Sequence, residues 1–307
     1  MLGRGPGEDI RRYGPSYPFQ LVADALRQAD IAFANLEAPI TEGGVPANKD
    51  YVFRAPASAA ESLAAAGIDV VSLANNHALD YGPEGLSDTM AALQSSGIVY
   101  VGAGPDEAAA RRPAIVTVKG LRLAFLSYVN TPDDSVSGFS VASTAATVDR
   151  AGVAWATPEA VAQDVAQAAR QADIVIVSLH TGFEYREAPN ALQLQLAHAA
   201  IDAGASLVLG HHPHVLQGIE EYKGGLIAYS LGNFVFDLDA ADYAQPGLPS
   251  SLSLILRVRL GPAGVGGYDL LPVLIGEADG RPRLVSGQEA KPVEERMARL
   301  SAALAGS

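Results

Sequence analysis

Cysteine is absent from all 307 residues, which excludes disulfides and thiolate metal sites. Any metal bound here has to be held by nitrogen and oxygen. Basic residues are scarce: 21 Lys and Arg stand against 34 Asp and Glu, a formal net charge of −13. A nucleic-acid binder needs a basic face, so that class is set aside, and an anionic substrate would need local help from a metal or from arginine. No apolar run approaches the roughly 20 residues of a transmembrane helix, and the first residues lack a signal peptide's apolar core. Apolar residues as such are plentiful. At 49% of the chain they allow a sizeable core, as one large domain or one domain with an appendage.

Helical patterns alternate with short apolar strands over the first two thirds of the chain. "PFQLVADALRQAD" reads as helix and "IAFANLE" as strand; "ASAAESLAAAG" is followed by "IDVVSLA", and "PEGLSDTMAALQSSG" by "IVYVGAG". Further on, "PEAVAQDVAQAARQAD" leads to "IVIVSLH", and "ALQLQLAHAAIDAG" to "SLVLG". Gly67, Gly97 and Gly204 stand where left-handed helix caps belong. Such alternation predicts α/β layers around a buried sheet. Two hairpins are expected, at 112–129 across Lys119-Gly120 and at 215–236 across Lys223-Gly224-Gly225. Beyond about residue 250 the chain turns β-like and ends in a short amphipathic helix. The expected organisation is a domain over 1–240 with a β-rich extension over 241–307 packed on it. The small, polar segment 130–158 reads as a long loop or lid.

Histidine carries the strongest signal. Three of the six imidazoles fall in "GHHPH" at His211, His212 and His214, directly after an apolar run. His77 and His180 likewise follow strand-like stretches, and only His198 sits in a helical pattern, as an ordinary helix histidine. The strand-end set is Glu37, Asn75, Asn76, His77, His180, His211, His212, His214 and Asn233, with Asp80 and Glu184 close by. In open α/β sheets, ligands bind at the carboxyl ends of strands. Carboxylate, amide and imidazole together suit a borderline-hard divalent ion such as Zn, Mn or Fe. More than four such side chains point to two ions clamping a hydrolytic transition state, and Glu37 is placed to bridge them. The alternation in "HPH" puts His212 and His214 on the same side of an extended segment, so both face one site, with His211 pointing the other way.

The stretches "ADIAFANLEAPIT", "VVSLANNHALDYG", "GIVYVGAG", "HTGFEY", "GHHPHVLQGIE" and "IAYSLGNFVFD", in that order from residue 1 to about 240, resemble the CapA-type poly-γ-glutamate capsule-biosynthesis family. That family is similar in fold to the calcineurin-like metallophosphoesterases. The resemblance implies a four-layer αββα sandwich with a C-terminal β addition. It implies Glu37 as the bridging carboxylate, with Asn76, His180, His212 and His214 as metal ligands. His77 would act as proton donor or oxyanion stabiliser with Asp80 beside it. Arg4, Asn75, Glu184 and Asn233 are expected near the substrate or behind the ligands, and Arg54 at the mouth. Thr181 stands where the family's pattern has Trp. The pattern also opens with a buried strand ending in Gly-Asp. The chain starts at "MLGRG", so that strand and its aspartate are expected to be missing, weakening one metal position and exposing sheet edges. Asp9, read as lying in a polar loop, is a poor substitute.

These readings converge on a metal-dependent hydrolase of capsule or cell-envelope polymer synthesis. It would cleave a phosphoester or amide, hold two divalent ions, and work on an anionic polymer beside a membrane-bound synthase. The rival expectations are a non-catalytic polymer-binding or assembly component and a general metallophosphatase.

Overall fold

The structure, a computed structural model, describes residues 1–133, 137–238, 250–276 and 279–305. The central parallel strands Val70–Ser72 and Ile174–Thr181 run through apolar, β-branched stretches without alternation and are covered on both faces, as parallel sheets require. In Ile174–Thr181 every residue is buried. A first, three-stranded sheet is parallel and ordered β1 (Phe33–Asn35), β2 (Val70–Ser72), β3 (Val99–Val101). The short β4 (Ala103–Gly104) pairs with β7 (Gly152–Val153). The hairpin β5 (Ala114–Val118) and β6 (Leu121–Asn130) turns at Lys119-Gly120, as expected. It joins β8 (Ile174–Thr181), β9 (Leu207–His211), β10 (Ile219–Tyr222) and β11 (Gly225–Ala228) in a second sheet, ordered β10-β11-β9-β8-β6-β5. Its four central strands are mutually parallel.

Helices cover the outer face of each sheet. α1 (Arg4–Tyr13), α2 (Ala23–Arg27), α3 (Ala59–Ala66) and α4 (Gly82–Ser95) share a core with the first sheet, in which Ile10, Leu26, Leu63 and Leu86 meet Val71 and Leu73. After α5 (Glu107–Ala110), α6 (Pro158–Ala168) and α7 (Ala191–Asp202) cover the second sheet through Val161, Val165, Leu196 and Ile201. Between the sheets Val70 and Val101 pack on Phe125, Ile176 and Leu209. This is the four-layer αββα sandwich. Each such side chain taken from water contributes about 1.5–3 kcal/mol before entropy is counted. Local signals fix the helix ends: Thr157 caps α6 ahead of Pro158, Asn190 and Gln193 form a capping box on α7, and Gly67 closes α3 at φ 87°.

The C-terminal β addition is an antiparallel sheet of β12 (Leu252–Gly261), β13 (Gly264–Ile275) and β14 (Pro282–Leu284), followed by α8 (Lys291–Ala305). Leu252, Leu254, Val293, Met297 and Leu300 belong to the same inter-sheet cluster as Phe125 and Ile176, so β12 and α8 share that core. The expected boundary at residue 240 lies outside the described residues. A cavity of about 590 Å³ separates β1 from β12, with Phe33, Phe125, Ile176 and Leu209 among its walls. Among the described residues no helix is long and apolar enough to cross a membrane.

Three expectations need correction. The first helix, α1, was not read from "RGPGEDIRRY", and Asp9 lies in it rather than in a loop. "PFQLVADALRQAD" is not one helix but a 3₁₀ turn at Tyr17–Phe19 and the five-residue α2, because only Ala23 and Leu26 of that helix find buried places. The end of 130–158 is packed structure rather than open loop: Val153, Ala154 and Ala156 are fully buried, and Val129 and Asn130 bond to the backbone of 154–156. Residues 134–136 lie outside the described residues.

Gly210, in β9 just before the histidines, tests how tightly this sheet is built. A Cβ there would stand 1.9 Å from the Tyr229 carbonyl oxygen and 2.5 Å from its carbon. Gly210→Ala is therefore expected to force β9 away from the segment after β11. The expected destabilisation is about 3 kcal/mol or more, lowering the melting temperature by roughly 6 °C or more. Thermal denaturation followed by circular dichroism checks it; an unchanged melting temperature would refute the close approach.

Candidate metal centre

The parallel strands β1, β2, β8 and β9 end on the same side of the sandwich. Each delivers polar side chains there: Glu37 two residues beyond β1, Asn75 to His77 beyond β2, His180 inside β8, and His212 and His214 beyond β9. Ligand atoms of Glu37, His180 and His212 lie within 4.8 Å of one another, and all three residues are buried. Those of Glu184, His212 and His214 form a second group by the same measure. His212 thus belongs to both groups. Glu37 Oε1 stands 3.5 Å from His180 Nε2 and 4.0 Å from His214 Nε2, facing both. Asn76 Oδ1 lies 2.9 Å from His180 Nε2.

These residues fit a divalent metal by the chemistry of what they leave unpaired. Glu37 Oε1 and His212 Nδ1 are buried without a hydrogen-bond partner. Buried polar atoms are nearly always satisfied. Burial pulls the His180 and His212 imidazoles well below their ordinary pKa, and the neighbouring imidazoles add to it. Both are therefore neutral at pH 7, the form in which nitrogen binds metal. Metal bonds of about 2.1 Å place adjacent ligands roughly 3.0–3.5 Å apart, and the 3.5 Å between His180 Nε2 and Glu37 Oε1 falls at the end of that range.

A ring of amides orients the set. Asn35 Nδ2 donates to Glu37 Oε2 at 3.1 Å and lies 3.4 Å from His180 Nδ1. Asn75, fully buried, donates to Asn35 Oδ1 and the Leu36 carbonyl, and accepts from the His77 amide. Asn233 Oδ1 holds His214 Nδ1 at 2.8 Å, while its Nδ2 donates to the His214 and Ser250 carbonyls. With Nδ1 so engaged, His214 presents Nε2 to Glu37, the arrangement that fixes metal-ligating imidazoles.

Behind His77 lies a buried charged cluster. His77 Nδ1 is 2.8 Å from Asp80 Oδ2, which also accepts from the Phe53 amide at 2.7 Å. Lys49 Nζ pairs with Asp80 Oδ1 at 2.5 Å, donates to the Asn76 carbonyl and approaches His77 Nδ1 to 3.1 Å. Its side chain is only 5% exposed. Asp80 therefore orients His77 from behind and leaves Nε2 as the free nitrogen. Lys49 and Asn35 were missed in the sequence. Lys49 lies in a loop without periodicity; Asn35 sits inside a strand, where its position on the run toward Glu37 was the only available signal.

The remaining expected residues are placed as follows. Arg4 lies over the rings of Tyr51 and Phe53, and Phe53 packs on His77 with centroids 4.3 Å apart. Arg54 lies over Tyr81. Thr181 is buried at the end of β8. Asp9 feels Arg281 and Asp279 rather than the histidines. His198 stacks on Tyr222 and bonds Glu220, away from the centre, as expected of a helix histidine. His212 and His214 do converge, but not through strand alternation. Their φ angles are 100° and 59°, so left-handed backbone turns both rings inward. His211 stays in β9, reaches the cavity beside Phe33, and has its pKa lowered by burial to about 4.

Comparison with known proteins identifies the family. Residues 1–238 match the family model described as bacterial capsule synthesis protein PGA_cap. The capsule biosynthesis protein CapA of Bacillus anthracis is 33% identical over 290 residues, covering 92% of this chain and 67% of that protein. The PGA biosynthesis protein CapA of Bacillus subtilis (strain 168) is 35% identical over 285 residues, covering 92% and 71%. With the matched region spanning both sheets and every residue of the centre, the chain belongs to the bacterial capsule synthesis protein PGA_cap family.

Proposed function

We propose that this protein is a metal-dependent hydrolase acting in the synthesis of a poly-γ-glutamate-type capsule or envelope polymer, on a phosphoester or amide bond. The observation that carries the reading is the pair of orphaned buried atoms, Glu37 Oε1 and His212 Nδ1, which converge with His180. The relatives' names supply the polymer context. A membrane-bound polymer synthase is the partner that context implies, at the cell envelope.

Two divalent ions, held by Glu37, Asn76, His180, His212 and His214, would supply Lewis acidity and ease the ionisation of water. The chain's own residues do the rest. Glu37 faces both groups through one oxygen, and Asn35 fixes its other oxygen. Asp80 engages His77 Nδ1, so the proton for a leaving group is carried at Nε2. Lys49 compensates the Asp80 charge, which keeps that carboxylate from being a second unpaired anion behind the site. Arg4, over the Phe53 ring that also packs on His77, offers a positive charge of the kind an anionic substrate needs on a chain of net charge −13.

Elemental analysis together with turnover of bis(p-nitrophenyl) phosphate and of poly-γ-glutamate tests the reading. We expect close to two equivalents of Mn, Zn or Fe per chain, with uptake weakened about 10-fold or more in Glu37→Ala and His212→Ala. His77→Ala should keep its metal and lose about 10²–10⁴-fold in turnover. Metal below about half an equivalent would sink the proposal. Two equivalents with polymer binding but no turnover of either substrate would favour an assembly component instead.

A pH experiment follows from the buried imidazoles. His180 and His212 lie well below, and His211 at about 4, the ordinary histidine pKa. The unfolded chain takes up these protons near pH 6.5 and the folded chain does not. Stability is therefore full above about pH 7 and is lost as pH falls below it. With chelator present, urea unfolding is expected to show up to roughly 4 kcal/mol less stability at pH 5.5 than at pH 7.5, about 1.4 kcal/mol per histidine. Equal stability at the two pH values would contradict neutral burial.

A further inference from the structure

Glu184 is exposed, yet its carboxylate stands in the same 4.8 Å group as the ring nitrogens of His212 and His214. The loop 182–190 that carries it is pinned at three successive residues. The Tyr185 amide donates to the Pro213 carbonyl at 2.8 Å, joining the loop to the segment between the two histidines. The Arg186 carbonyl accepts from Gln217 Nε2 at 2.8 Å. Glu187 is held from α8 by Arg296 and by Arg299 Nη2, the latter at 3.0 and 3.1 Å from its two oxygens. α8 is itself seated on the core through Val293, Met297 and Leu300. A solvated surface acid needs no such bracing, and Tyr185 pays for it with a φ of 57°.

We propose that Glu184 is a ligand of the outer ion held with His212 and His214, and that the Glu187 ion pairs make the C-terminal helix the element that positions it. This rests on the metal reading above. Electrostatics support it. Glu37 is the one carboxylate of the inner group and shares its Oε1 with the outer side, 4.0 Å from His214 Nε2, while His212 and His214 themselves bring only imidazole nitrogen. A second divalent ion a few ångströms from the first needs further negative charge to be held against their mutual repulsion. Glu184 is the carboxylate that joins the outer group among the described residues. The C-terminal extension then contributes to the centre without supplying a ligand.

Cobalt titration of the full chain tests this, with binding read by calorimetry and by visible absorption, whose intensity reports coordination. The parent chain is expected to take up two Co²⁺. Glu184→Gln should keep the first and bind the second about 10-fold or more weakly. The double variant Arg296→Met, Arg299→Met should weaken the second ion alone, and Arg296→Lys, Arg299→Lys should restore part of it. Circular dichroism confirms that each variant is folded. Two unchanged ions in Glu184→Gln overturn the ligand assignment while leaving the metal reading intact. Equal weakening of both ions in the arginine variant overturns the positioning role. No uptake by the parent chain removes the inference together with the reading beneath it.

Discussion

Glu37 Oε1 is a buried carboxylate oxygen with no hydrogen bond, set between two imidazole nitrogens at 3.5 and 4.0 Å. An unsatisfied buried polar atom costs about 1–3 kcal/mol, and more when charged. The nearer imidazole, His180, cannot relieve it by protonating, because burial and the neighbouring imidazoles hold its pKa well below the ordinary value. Each half of this arrangement makes sense only with the other. Neutral nitrogens offer lone pairs and the carboxylate offers charge, the donor set a divalent cation takes. The remaining features of the centre follow from the need to hold these groups in place without giving them other partners.

The fold meets that need by topology and then by amides. Parallel strands bring residues far apart in sequence to one edge, so Glu37, Asn76, His180 and His212 arrive from separate βα units. Strand ends alone would leave the rings free to turn. Asn35, Asn75 and Asn233 fix the rings or the backbone beneath them with neutral donors and acceptors. Charged orienters would compete for the ion or add to the desolvation burden. Where a charged orienter is used, Asp80 behind His77, it comes with Lys49 as a buried counter-ion, and neither side chain is more than 5% exposed.

How much of this was legible in the sequence depended on how local each signal is. His180 and "GHHPH" stand out because they interrupt apolar runs, and the layered α/β order follows from helix caps and strand runs that need no tertiary information. Other features required the fold. Lys49 meets Asp80 across 31 positions through a loop with no period, so neither residue announces the other. The facing of His212 and His214 was anticipated by the wrong geometry: alternation was assumed where positive φ angles operate. In 130–158, composition gave small polar residues, and burial of Val153 and Ala156 came from tertiary contacts that composition does not encode. The Glu187 clamp joins residues more than 100 positions apart and leaves no pattern in either stretch.

The net charge of −13 and the anionic polymer proposed as substrate would pull in opposite directions, and distance decides between them. Exposed charges more than about 8 Å away are largely screened at physiological salt, so most of the surface carboxylates act on encounter rather than on binding. Within the centre the balance is different. Asp80 is matched by Lys49, Glu187 by Arg296 and Arg299, and Arg4 lies over the ring that packs on His77. Glu37 and Glu184 are the acids left facing the histidines, and both are accounted for if cations occupy the two groups they join. The acidic surface and the metal centre are then compatible: the surface slows the approach of a polyanion, while the local charges that would hold one are set by the ions and by Arg4.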